Sequence, residues 1–233
     1  MPSFNILKKT ELKKSFKTQS VLDMFSMDDS NLNQNFTGSI DIEGKDWNIG
    51  LIVGRSGTGK TTIAKECFGD DIVVNLQYGE NAIIDEMPKN CNVQKITNMF
   101  SAVGFASPPS WLKPYHVLSN GEKMRVDLAK SLLEEKQRFA FDEFTSVVDR
   151  TVAQTTCLAI SKSIKRENKQ FIAITCHHDV KEWLEPDWVY DTDLNQFFFM
   201  QKNQLEQKYT SMFFKLKKNG GLKYGKPLKS FII

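Results

Sequence analysis

Gly54-Arg55-Ser56-Gly57-Thr58-Gly59-Lys60-Thr61 fits the pattern G-x-x-x-x-G-K-[ST], with the apolar run Trp47 to Val53 before it and Thr62-Ile63-Ala64-Lys65 after it. Strand, glycine-rich loop and helix start form the setting that this pattern requires. Glycines let the backbone curl so that successive N–H groups point inward, and the first turn of the helix adds unpaired donors and partial positive charge. The stretch therefore reads as a phosphate cradle. Lys60 is expected to reach the β- and γ-phosphates and the Thr61 hydroxyl to ligate magnesium. Gly54, Arg55, Ser56, Gly57, Thr58, Gly59 and Thr62 complete the expected nucleotide-binding set. A glycine-rich turn without a ligand is the alternative, and the flanking strand and helix signals count against it.

Further along, Gln137-Arg138-Phe139-Ala140-Phe141-Asp142-Glu143 reads as a short buried strand ending in two carboxylates. Ligands bind at the C-terminal edge of open α/β sheets, so both acids are expected beside the phosphate loop. Asp142 suits a magnesium ion, held directly or through water. Glu143 suits the water that attacks the γ-phosphate, as a positioned general base. Two exposed acids in a turn would be the plain alternative.

Between these segments lies Leu118-Ser119-Asn120-Gly121-Glu122. It resembles the L-S-G-G-Q signature of ABC-type ATPases, with Asn120 and Glu122 as departures, and Arg125, Ala129, Lys130 and Leu132 continue the family pattern. Phe144-Thr145-Ser146-Val147-Val148-Asp149 resembles the segment after the catalytic glutamate, with Phe144 where transporters usually carry proline and Asp149 at the aspartate of the D-loop. Ile172-Ala173-Ile174-Thr175-Cys176-His177 is similar to the strand leading to the switch histidine. The resemblance covers roughly residues 45 to 190, and the order and spacing of its parts carry it. It implies an α/β fold, a P-loop NTPase of ABC-ATPase type with an N-terminal antiparallel β-subdomain and a reduced helical lobe.

The signature also has a physical reading of its own. Ser119 and Gly121 stand at the start of a helix, where a hydroxyl and unpaired N–H groups meet a positive helix end. One nucleotide does not readily use two phosphate cradles from one protomer. In ABC-type ATPases the signature of one subunit closes over ATP held by the other, so the resemblance implies a head-to-tail homodimer with two shared sites. Taken alone, Ser119 with Glu122 three residues on is an ordinary capping arrangement.

Two histidines compete for the switch position. His177 follows Thr175-Cys176 where the strand ends, and His178 precedes Asp179; His177 is the preferred candidate to contact the γ-phosphate. Gln77, after Ile72-Val73-Val74-Asn75-Leu76, is the candidate for the Q-loop. Phe25 is a candidate to stack on adenine, with a buried core aromatic as the competing reading.

A narrower resemblance rests on Trp111, Leu118 to Lys123, Asp142 to Arg150, and Thr175-Cys176-His177 followed by Glu182-Trp183-Leu184-Glu185-Pro186-Asp187-Trp188. These are similar to a group of phage and prokaryotic ABC-type ATPases whose relatives often carry a fused GNAT-type acetyltransferase domain. About 45 residues follow Trp188, too few for such a domain.

With 233 residues and 40% hydrophobic content, one α/β domain fits better than two. The expected division is an ATPase domain over 1–195 and a basic, aromatic C-terminal extension over 196–233 packed on the same domain. That extension holds eight lysines against the single acid Glu206, within a chain of net charge +3, so the rest is net acidic. Lysines interleaved with Phe213, Phe214, Tyr224 and Phe231 suit a nucleic-acid backbone and stacked bases, or equally a solvated strand face. Cys67, Cys91, Cys157 and Cys176 are scattered without metal-ligand spacing, which suits a reducing cytosol. No apolar stretch approaches the roughly 18 residues of a membrane span.

The pattern predicts strands near 4–8, 18–25, 36–42, 48–53, 71–76, 137–142, 170–175 and 187–191. Helices are predicted near 60–68, 92–103, 121–136, 147–166 and 179–184. Residues 62–118 leave no room for coiled-coil arms, and no heptads occur. Together these readings imply a cytoplasmic, magnesium-dependent ATPase acting as a switch or motor on DNA, RNA or a partner protein. The alternatives are a regulatory subunit of a partner enzyme such as an acetyltransferase, and the ATP-binding subunit of a transporter.

Overall fold

The computed structural model describes residues 3–9, 12–13, 15–28, 33–74 and 76–200. Its centre is the strand β3 (Ile49–Val53), buried along its whole length. Continuous apolar burial is what a parallel strand covered on both faces requires. β3 pairs in parallel with β5 (Gln170–Thr175) on one side and β6 (Trp188–Asp191) on the other. β4 (Arg138–Phe141) pairs in parallel beyond β5, and β7 (Gln196–Phe199) follows β6, giving the order β4-β5-β3-β6-β7. Gly50 is required by close approach: a Cβ there would run into the indole of Trp188, which itself packs edge-on against Trp47.

A separate antiparallel pair, β1 (Ser3–Lys8) and β2 (Gln34–Ser39), runs in register from Ser3 opposite Ser39 to Lys8 opposite Gln34. The helices α2 (Lys60–Phe68), α3 (Val93–Ala102), α5 (Asn120–Leu133) and α6 (Arg150–Glu167) bury Ile63, Phe100, Leu128 and Ile160. Two further helices are short, α4 (Pro108–Trp111) and α7 (Val180–Leu184). Phe139 and Phe144 both pack on Phe171, and burying each such ring contributes about 1.5–3 kcal/mol. Lys169 donates to the carbonyls of Ser131 and Glu134 at the end of α5, where helix acceptors lack partners, and to that of Lys136 just beyond it.

Two predicted strands are corrected. Residues 18–25 belong to α1 (Phe16–Phe25), because Ser15 and Thr18 form a capping box: the Ser15 hydroxyl accepts from the Thr18 N–H at 3.2 Å, and Thr18 Oγ1 accepts from the Ser15 N–H at 2.7 Å. The region predicted at 71–76 makes a single parallel bridge, Ile72 to Ala140, with Val73 N–H donating to the Ala140 carbonyl at 2.8 Å. Val74 is exposed there, and the chain passes the outer edge of β4 without joining it; Asn75 lies outside the described residues. Phe25 is 65% exposed on α1, so its reading as a buried core aromatic is overturned. The compact unit ends at Phe198, and of the residues beyond it only Phe199 and Met200 are described. The basic residues expected to contact nucleic acid, Lys202 to Lys229, therefore lie outside the described residues.

Among the described residues, no helix is long and apolar enough to cross a membrane.

Candidate functional site

Because β4, β5, β3 and β6 run parallel, their C-terminal ends share one edge of the sheet. In that order the edge carries Asp142 and Glu143, then Cys176 and His177, then the glycine loop, then Thr192 and Asp193. Neighbouring strands lie about 4.8 Å apart, so the histidine segment stands between the carboxylates and the loop.

Gly57 and Gly59 take positive φ of 85° and 87°, and Gly59 is the N-cap of α2. Lys60 is the first residue of that helix, largely buried, and its Nζ donates to the Arg55 carbonyl at 2.8 Å inside the loop. The Thr58 hydroxyl donates to the same carbonyl at 2.8 Å. Thr61 and Thr62 occupy the first turn of α2, and the Ser56 and Gly54 positions complete the curl. The ring of Phe36, on β2, lies against Gly59 so closely that a Cβ there would collide with it.

The loop is strapped from the far side by the residues after β6. Asp193 accepts the Arg55 backbone N–H at 3.0 Å and the Arg55 Nε at 2.9 Å. These contacts hold the Asp193 carboxyl below its ordinary range, the Arg55 side-chain hydrogen bond first. Thr192 N–H donates to the Val53 carbonyl at 2.8 Å, and its hydroxyl meets that of Thr58 at 2.6 Å. His178 Nε2 lies 3.5 Å from Asp193 Oδ2.

Asp142 and Glu143 leave β4 in a tight turn, with Glu143 N–H donating to Asp142 Oδ1 at 2.9 Å. Glu143 and Thr145 both sit at positive φ, 53° and 65°, which for a β-branched threonine is an outlier of the kind that clusters at functional loops. Phe144 N–H donates to the Ile174 carbonyl at 2.9 Å, a bond that a proline in its place would forgo. A cavity of about 300 Å³ lies against this turn, and Asn120 and Lys123 also line it.

His177 N–H donates to Thr175 Oγ1 at 3.2 Å. The following Asp179 takes both Nε and Nη2 of Arg150, the first residue of α6, whose guanidinium lies over Trp183 at 4.9 Å. Asp149 caps α6, accepting the Thr151 N–H at 2.8 Å. The histidine segment and the Asp149 segment are thus tied together.

Ser119 is the N-cap of α5. Its N–H and its hydroxyl both donate to Glu122 Oε2, at 3.0 and 2.8 Å. The Glu122 carboxyl is held below its ordinary range, chiefly by that backbone N–H. Gly121 faces Val148 of the turn before Asp149. Gln77 lies in irregular chain, and its carbonyl accepts from Lys130 Nζ at 3.0 Å.

Sequence reading missed Phe36, Thr192 and Asp193. Only the sheet topology reveals that Asp193 follows a strand next to β3; the acid-rich run Asp191-Thr192-Asp193 after an apolar strand was its one local signal.

No family model and no curated protein matches the chain. Solved structures do. One is cbiO1 from Clostridium perfringens, part of the ABC transporter complex cbiONQ, at 16% identity and TM-score 0.56, covering 92% of this chain and 95% of that one. A second is the ATP-binding cassette MJ0796 in a dimeric post-hydrolysis state bound to ADP and Pi, at 10% identity and TM-score 0.54, covering 81% and 92%. The dimeric structure of MJ0796, described as a bacterial ABC transporter cassette, matches at 13% identity and TM-score 0.50 over 68% and 84%. At such identities the likeness speaks to the fold alone, and the fold is that of an ABC-type ATPase cassette, a P-loop NTPase fold with a two-stranded antiparallel sheet beside the parallel one.

Proposed function

We propose that the chain is a cytoplasmic ATPase that hydrolyses ATP at composite sites of a head-to-tail homodimer. The observation that carries this reading is the order along the sheet edge: a left-handed glycine loop with a buried lysine, a histidine beside it, and an acid pair beyond. In this reading the loop amides from Gly54 to Thr62 and Lys60 bind phosphate. Thr61 and Asp142 hold magnesium, a hard cation that keeps waters and needs few protein oxygens. The ion would neutralise charge developing on the phosphates. Glu143 orients water for in-line attack on the γ-phosphate, and His177 contacts that phosphate. His178 is the weaker candidate, since its imidazole is turned to Asp193. Gln77 reports on the attacking side, while Ser119, Gly121 and Asp149 act across the interface.

Phe36, set against Gly59 on β2, is a better aromatic for the base than Phe25 on the separate helix α1. Lys60 must exchange the Arg55 carbonyl for phosphate on binding.

The load we assign is nucleic acid, supported by the lysine and aromatic composition of residues 196–233. A regulatory role for a partner enzyme, such as an acetyltransferase, is supported by the resemblance to the phage and prokaryotic group; a transporter role is favoured by the structural likeness to transporter ATP-binding cassettes. The decisive experiment is Glu143→Gln on size exclusion with Mg·ATP. A stable ATP-bound dimer with no turnover is expected, and a monomer with full turnover would remove the assignment. ATPase rates with DNA and RNA across a salt series test the load: stimulation that fades with salt is expected, and indifference to both would reject nucleic acid.

A further inference from the structure

Three residues on one face of α5, Lys123, Asp127 and Lys130, recur at the helical spacing that brings side chains into line. Asp127 accepts the Tyr78 hydroxyl at 2.8 Å on one oxygen and the Tyr115 hydroxyl at 2.9 Å on the other. The two phenol rings stack face to face, 4.0 Å apart and within 7° of parallel. Lys130 Nζ caps one end of the stack, 4.2 Å from the Tyr78 centroid, and Lys123 Nζ lies 5.6 Å from Tyr115 at the other. Lys130 also donates to the carbonyl of Gln77, the residue before Tyr78. Tyr115 opens the short turn that leads through Leu118 to Ser119. One joint therefore grips the segment around Gln77, the approach to Ser119 and the middle of α5. Tyr115, Lys123 and Asp127 also line the 300 Å³ cavity that Asp142 and Glu143 line.

A half-buried carboxylate is a costly way to fill space, since apolar side chains of similar volume often do as well for stability. What it adds is direction: two acceptors fixed by a helix, each meeting one donor. We propose that Asp127 is a positioning residue that fastens the Gln77 segment to the signature helix, so that a shift at bound nucleotide is delivered to Ser119 and Gly121. This rests on the ATP-driven dimer set out above. The chemistry belongs to other residues, and Asp127 acts through the helix that carries them.

The test uses the full chain in the Glu143→Gln background for closure and with native Glu143 for turnover. Tyr78→Phe/Tyr115→Phe/Asp127→Leu replaces the two hydroxyls and the carboxylate together, so neither donor nor acceptor of those hydrogen bonds is left behind, while Lys123 and Lys130 keep the aromatic rings beneath them. It is expected to hold its melting temperature and to bind Mg·ATP within about twofold of the parent. ATP-dependent dimerisation is expected to weaken at least tenfold, and kcat to fall at least tenfold with KM changed less than about threefold. Tyr78→Phe alone, which keeps the ring stack and removes one donor, is expected to show the same split at about fivefold, and it decides the matter if the triple variant does not fold. Closure and turnover equal to the parent in a folded variant would overturn the proposal and leave the function intact. Loss of nucleotide affinity in parallel with melting temperature would reduce Asp127 to a packing residue. A parent that binds ATP without dimerising would remove the dimer reading itself, and that arm alone reports it.

Discussion

Asp193 is a single carboxylate that accepts both the backbone N–H and the guanidinium of Arg55, so it fixes the entrance of the phosphate loop before any ligand arrives. Hydrogen bonds to a charged group are worth about 1.5–3 kcal/mol where they are protected and less where they are exposed. Asp193→Ala should therefore loosen the loop, and the expected result is a weaker nucleotide Kd, by up to about tenfold, in fluorescent-nucleotide titration. Arg55→Ala retains the backbone bond and is expected to cost less; the double variant should be no worse than Asp193→Ala alone, because the two changes break one network. Equal affinity in all three would mean that the glycines and α2 hold the loop unaided. Gly59 poses a harder constraint, since its φ of 87° and the Phe36 ring both exclude a Cβ. Gly59→Ala is expected to abolish binding; Phe36→Ala in the same chain relieves the clash but leaves a left-handed penalty of about 1–2 kcal/mol and removes the ring proposed to meet the base, so affinity is expected to stay below the parent.

At the level of the element, α5 caps itself: Glu122 occupies both the N–H and the hydroxyl of Ser119, the groups proposed to meet phosphate across the dimer. An ionised carboxylate there opposes an incoming triphosphate, whereas glutamine keeps the capping geometry without the charge. Glu122→Gln is expected to tighten the ATP-bound dimer two- to fivefold by sedimentation, and to lower protomer stability slightly through loss of the charge at the helix start, about 0.3–1 kcal/mol. The pH dependence has a definite sign. The folded carboxyl is lowered from 4.5, so its stabilisation is fully present above 4.5 and is lost as pH falls through the lower folded value. Wild type and Glu122→Gln should thus converge in melting temperature under acid and separate at neutral pH. Elements of this kind were legible in the sequence where local chemistry and burial agree: the glycine loop, the buried strands β3 to β6 and the Ser119 cap. They were not legible where the partner is remote. Residues 18–25 look strand-like until the Ser15 and Thr18 cap is noticed, and Ile72 to Val74 is apolar enough for a strand that only the end of β4 declines to extend. Asp127 carries no signal at all, because Tyr78 and Tyr115 reach it from 49 and 12 residues away.

For the whole molecule, the edge that gathers loop, histidine and carboxylates also fixes how a ligand changes stability. Anything that binds the folded chain alone stabilises it by RT ln(1 + [L]/Kd), about 2.7 kcal/mol at a hundredfold excess over Kd. For a chain of this length each kcal/mol shifts the melting temperature by about 2–4 °C. Mg·ATP at that excess is therefore expected to raise the melting temperature of Glu143→Gln by about 5–10 °C. If closure also occurs, the gain must grow with protein concentration, because association adds its own mass action; in the absence of nucleotide the melting temperature should not vary with concentration. Lys60→Ala removes the buried cation from the cradle and is expected to erase both effects. The two dependences separate the levels of the argument: a nucleotide shift without concentration dependence would leave the phosphate cradle and remove the dimer, whereas no shift in the parent would remove the cradle as a nucleotide site.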